Sequence, residues 1–147
     1  MDTRAIGKPN GSILKIDGRD YEVGYNVFGN VKEAIEKVAA GGFVTIDSGI
    51  YTGDIYLNKQ VTVQGDRNVF LNGTIYITAN NATVKGISIV YNRTASGENG
   101  IVIGGSVNPD SLTIRNCTFL NGGKSTGVAL VNNSGKDFQL DSSNSGA

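Results

Sequence analysis

Three short stretches of the chain, VTVQGD from Val61, TVKGISI from Thr83 and LTIRNCTF from Leu112, superimpose so that every apolar residue falls on an apolar residue. Val61, Ala82 and Leu112 align, then Val63, Val84 and Ile114, and a Gly or Asn closes each strand at Gly65, Gly86 and Asn116. Alternation with period two marks a strand with one buried face. Its recurrence in register marks a solenoid, in which each repeat buries its apolar face only by stacking on the next. The closing position must accept positive φ, so the chain is expected to turn there.

Two further series keep the same rhythm. One follows directly after each turn: Val69 and Leu71, Ile87 and Ile89, Cys117 and Phe119, with Val44 and Ile46 as its expected first member. The other lies between the coils: Ile55 and Leu57, Ile75 and Ile77, Ile101 and Ile103, Val128 and Leu130. Phe138 and Leu140 would close the first series. Each coil therefore contributes three short strands, in a repeat of roughly 18 to 30 residues whose length varies with the corner loops.

This pattern resembles the right-handed parallel β-helix of the pectate lyase superfamily, which includes phage tailspikes and surface proteins. The resemblance covers about Asn30 to Leu140, and its opening is VKEAIEKVAAGGFVTIDSGIYTGDIYL: a short helix, a Gly-Gly turn, a strand, a G-x-Y corner and a second strand. Val31, Ala34, Ile35 and Val38 follow helical spacing, so residues 31–40 are read as a capping helix stopped by Gly41 and Gly42. The fold class expected is all-β, a single-stranded parallel β-helix of about four coils. Residues 1–30 form an N-terminal linking segment with a hairpin, Ile13 to Ile16 and Tyr21 to Val23 joined through Asp17 and Gly18. Residues 31–140 form the solenoid and 141–147 a flexible tail. The repeat ends at Leu140 without a capping helix, which predicts a partner on that end or continuation in a longer chain.

The chain of 147 residues is one domain by length, and 21 Gly with only 2 Pro and no Trp suits a turn-rich all-β protein. Thirteen basic residues balance thirteen acidic ones, which argues against a broad electrostatic grip on nucleic acid or anionic membrane. No apolar run reaches the length of a membrane span and no signal-peptide core follows Met1. Cys117 is the single cysteine, at an inward strand position, and reads as a small buried hydrophobe. N-x-S/T sequons begin at Asn10, Asn72, Asn81, Asn92, Asn116 and Asn132, as Asn-rich turns beside Thr and Ser generate them.

Function in such a chain is written on outward positions. Thr62, Thr83 and Thr113 form one outward column of high β propensity. Gln64, Lys85 and Arg115 form the next. Lys85 above Arg115 is a candidate anion site, for a uronate or phosphate, set against two solvated side chains splayed apart. The resemblance implies a substrate-groove floor at Tyr56, Tyr76, Val102 and Ala129, flanked by loops 47–54, 91–99 and 121–126. Tyr56 and Tyr76 on that floor are a candidate carbohydrate platform, because an aromatic face meets the apolar face of a pyranose. The alternative is a cross-coil aromatic pair that only stabilises the stack.

A lyase of this kind needs an Arg or Lys base and commonly Ca²⁺ held by carboxylates, and a hydrolase needs two carboxylates. The floor is uncharged, and no Asp-Asp or Asp-x-Asp pair occurs in the chain. An assembled site would have to draw on Arg93, Glu98 and Lys124, or on Asp47 and Asp54. The expectation is a non-catalytic structural or recognition module of a virion or cell surface, without cofactor or metal, self-associating as a trimer and touching glycans. A polysaccharide lyase or glycoside hydrolase and a freestanding carbohydrate-binding domain are the alternatives.

Overall fold

Asp17 and Gly18 both take positive φ, 50° and 80°, the backbone that a two-residue hairpin turn with the twist of its strands requires. They join β1 (Ile13–Ile16) to β2 (Arg19–Glu22) in antiparallel register, with Ile16 opposite Arg19. A two-residue turn lets pairing resume at once, so the second strand begins at Arg19 rather than at the expected Tyr21. Leu14, Ile16 and Tyr21 pack on Ala5, Val23 and Val27 in a small core of their own. The computed structural model describes residues 1–66, 68–90, 99–104, 109, 111–120, 130–132, 139–140 and 145–146.

The helix α1 (Val31–Lys37) starts at Asn30, whose Oδ1 accepts the Glu33 N–H at 3.3 Å. It ends three residues short of the expected 31–40, because Val38 is already extended (φ −67°, ψ 141°) and Gly41 takes its positive φ (83°) in the turn beyond. The exposed carbonyls at the helix end are met by Lys59 Nζ, which donates to Glu36 O (3.1 Å) and Val38 O (2.6 Å). Val31, Ala34 and Ile35 are buried in the same core as the strands.

From Gly42 on, the chain passes repeatedly through three sheets. The first pass lays down β3 (Gly42–Ile46), β4 (Gly49–Thr52) and β5 (Ile55–Leu57), and the second β6 (Val61–Gly65), β7 (Val69–Asn72) and β8 (Ile75–Ile77). The third supplies β9 (Thr83–Lys85), β10 (Ser88–Val90) and β11 (Ile101–Ile103), and the fourth β12 (Thr113–Arg115), β13 (Thr118–Leu120) and β14 (Leu130–Asn132). Two short strands follow, β15 (Gln139–Leu140) and β16 (Ser145–Gly146). The sheets run β3-β6-β9-β12-β15, β4-β7-β10-β13-β16 and β5-β8-β11-β14, and every pairing in them is parallel. The protein is thus mostly β, with parallel sheets of stacked strands and little helix.

The core is built as columns. Val44, Val63, Val84 and Ile114 lie opposite one another on successive strands, each 5 % exposed or less. Ile55, Ile75 and Ile101 do the same in the third sheet, beside Leu57, Ile77 and Ile103. Cys117 is fully buried, as expected, and burial pushes its thiol up from the ordinary value.

Several expected registers shift. Val44 and Ile46 belong to the first sheet, with Val44 opposite Val63. Their expected place in the second sheet is taken by β4, which lies inside what the sequence presents as the loop 47–54. β4 escapes a search for apolar pairs because Tyr51 is its single buried residue. Tyr51 pairs with Leu71, its hydroxyl donates to Asp47 O at 2.9 Å, and burial pushes its phenol up to about 12. In the third sheet Leu130, not Val128, lies opposite Ile101, and Asn132 lies opposite Ile103. A slip of two residues leaves every side chain on its own face, so alternation alone cannot detect it. Val128, Ala129 and Phe138 lie outside the described residues. Pairing also extends past Leu140 into the expected tail, where Ser145 and Gly146 lie opposite Thr118 and Phe119.

The aligned corners are not alike. Gly86 (φ 72°) and Asn116 (φ 52°) take the expected positive φ, but Gly65 does not; it continues β6, and Asn68 (φ 47°) makes the turn. Gly65 is required for another reason, since a Cβ there would run into the Gly86 carbonyl oxygen of the next pass.

The N-terminal residues lie along the first pass. The Met1 nitrogen donates to Thr45 O (2.7 Å), Asp47 N to Met1 O (2.9 Å) and Asp2 N to Phe28 O (2.9 Å). The buried Asp2 carboxylate accepts from Arg4 Nε (2.9 Å), Nη2 (2.7 Å) and the Arg4 backbone N–H (2.8 Å). The Arg4 side chain, first among these partners, holds the carboxyl below the usual carboxylate range. A folded-state value lowered in this way gives stability that is present above about pH 4 and is lost as pH falls through the folded value. Asp2→Asn is therefore expected to cost about 1–3 kcal/mol at pH 7 and to shrink the fall in melting temperature between pH 5 and 2. Thermal melts across that range check it; identical curves for the two proteins would show that this pair contributes nothing.

Candidate functional site

The sequence repeats a five-residue unit, Gly53-Asp54-Ile55-Tyr56-Leu57 and Gly73-Thr74-Ile75-Tyr76-Ile77. In both, the flanking aliphatic side chains are fully or almost fully buried, and the pleat then sends the tyrosine between them outward. The corner before each strand is pinned. Asp54 Oδ1 accepts the Thr74 N–H (2.9 Å), the buried Thr74 hydroxyl donates to Asn99 O (2.7 Å), and Ile55 N donates to Thr74 O (2.9 Å). These bonds fix one pass on the next and set Tyr56 over Tyr76.

The rings stack with centroids 5.0 Å apart and planes 8° from parallel. Each turns one face toward the other, so the pair is a column rather than a flat two-ring floor. Tyr56 stands at the edge of its sheet and is 51 % exposed. Beside it opens a cleft of about 240 Å³, lined also by Asn30, Lys32, Thr52 and Asp54. One aromatic face with an ammonium, a carboxylate, an amide and a hydroxyl nearby is the donor set that a sugar ring uses: apolar C–H surface on the ring, hydroxyls on the polar groups.

Asn30, Lys32 and Thr52 were not singled out in the sequence. Strand periodicity carries no signal for them, because Asn30 and Lys32 come to the cleft with α1, which packs against β5, and Thr52 closes β4. Val102 lies opposite Tyr76, and in the fourth strand Val131, rather than the expected Ala129, lies opposite Val102.

Lys85 and Arg115 lie directly opposite one another on β9 and β12, below Gln64 on β6. The two cations therefore share one outward column of the first sheet, as the alignment implied. That column belongs to a different sheet from the tyrosine strands. Arg93, Glu98 and Lys124 lie outside the described residues. Among the described residues no group of three or more His, Cys, Asp or Glu is placed to hold a metal ion, and no helix is long and apolar enough to cross a membrane.

Comparison of the chain with protein-family models, with curated proteins and with solved structures finds no match in any of the three.

Proposed function

We propose that this chain is a right-handed parallel β-helix of the pectate-lyase-like kind, acting as a non-catalytic structural and recognition module of a virion or cell surface that contacts glycans through Tyr56. The three parallel sheets visited in strict rotation support the β-helix reading. The observation that carries the functional reading is the Tyr56–Tyr76 stack beside its small polar cleft. The outward residues of these strands, Tyr56, Tyr76 and Val102, supply an apolar contact surface and no carboxylate pair or cationic base. The cleft has room for about one sugar ring, which suits recognition of a terminal or branch residue more than a long groove for chain cleavage. Self-association as a trimer and an extracellular or virion location go with this reading.

The experiment is a glycan panel probed with the full chain and with Tyr56→Ala. Saturable binding to at least one glycan is expected, weakened about tenfold or more in Tyr56→Ala, the equivalent of 1–2 kcal/mol of stacking. No unsaturated or reduced-length products are expected from pectate or alginate, with or without Ca²⁺. Cleavage that disappears in Arg93→Ala, Glu98→Gln or Lys124→Ala would replace this reading with a lyase or hydrolase. Glycan binding unchanged in Tyr56→Ala would remove the tyrosine from it.

A further inference from the structure

A cavity larger than the Tyr56 cleft lies elsewhere. It lies where the β1–β2 hairpin, α1 and β3 meet, encloses about 500 Å³, and falls within the size range of small-molecule sites. Its lining is aromatic as well as aliphatic. Tyr21, Tyr25 and Phe43 all border it, and two of these stand well out in solvent, Tyr25 at 76 % and Phe43 at 67 % exposure. Phe43 heads an outward column that continues as Thr62, Thr83 and Thr113 on the later strands. A large apolar ring therefore sits at the one position of that column that borders the cavity.

The charge of the lining leans negative by one. Carboxylates come from Asp2, Asp17, Asp47 and Asp66, against Arg4, Lys37 and the amino group of Met1. Arg4 is taken up by Asp2 and leans on Asp47 at 3.4 Å. The Met1 amino group donates to Thr45 O. Four carboxylates against three cations leave a net excess of one negative charge around the aromatic rings of the lining, whose own faces are electron-rich. Both features favour a cation with an apolar body and disfavour an anion of the same shape.

We propose that this cavity is a binding site for an organic ammonium ion carrying an apolar or aromatic body, seated between Tyr25 and Phe43 with its charge toward the Asp47 and Asp66 side. The site is separate from the Tyr56 cleft and does not rest on the glycan reading.

The test titrates the isotope-labelled full chain with 2-phenylethylammonium and, separately, with 3-phenylpropionate, a probe of similar size and opposite charge, following chemical shifts by NMR. Saturable shifts centred on Tyr25 and Phe43 are expected for the cation, with affinity for the anion about tenfold or more weaker. Tyr25→Ala should weaken the cation about tenfold and Asp66→Asn about threefold, the second effect shrinking at high salt. Both residues are exposed at the surface, so neither variant is expected to disturb folding. Equal or tighter binding of the anion, shifts that do not saturate, or shifts centred on Tyr56 and Tyr76 would each overturn the proposal.

Discussion

Val84→Asp is expected to show no cooperative unfolding transition at neutral pH and to behave as an unfolded or aggregated chain. Val84 has no exposed surface and stands between Val63 and Ile114 in the most regular column of the core. A carboxylate there would be buried among the apolar side chains of Val63 and Ile114, and the penalty of burying an unpaired charge runs to several kcal/mol. The whole folded state of a domain this size is worth only about 5–15 kcal/mol. Val84→Ala is the control: it removes volume without charge, should cost about 1–3 kcal/mol and should stay cooperative. Circular dichroism with urea titration separates the outcomes. A Val84→Asp protein that melts cooperatively near the parent would mean that Val84 is not in the core.

Gly65→Val carries the second large effect, an expected loss of about 3 kcal/mol or more, again read from urea midpoints. At Gly65 the obstacle is not φ but the carbonyl of Gly86 in the next pass, which occupies the space of a side chain. The obstacle is backbone, so it can yield only if the pairing of β6 with β9 is disturbed. The reverse change is informative too. Asn already stands at the matching position 116 with φ 52°, which by conformation alone makes Gly86→Asn mild. A Cβ at Gly86, however, would lie 2.7 Å from Gly65 O. Gly86→Asn is therefore expected to cost about 1–3 kcal/mol despite its tolerable φ. Parent-like stability in both variants would mean that the two backbones do not approach this closely in solution.

The sequence by itself determined which residues are inside. Alternation is a local property of each strand, and burial of one face follows from it without knowledge of the partner strand. That is why Val63, Val84 and Ile114, or Ile55, Ile75 and Ile101, were legible as stacked columns, and why the Asp17-Gly18 turn was legible from two residues. Lys85 over Arg115 and Tyr56 over Tyr76 followed from the same alignment. Only the tertiary structure decided what depends on distance across the fold. It placed Leu130 rather than Val128 against Ile101, because a two-residue slip preserves the pattern. It found β4 through a single buried tyrosine, Tyr51, and gave Gly65 its purpose through a carbonyl one pass away. It joined Asn30 and Lys32 to Tyr56, and Phe43 to Tyr25, across elements with no common period. Pattern along a chain reports the face each residue takes, whereas cavities are made where faces from different elements meet, and that meeting is fixed by packing alone.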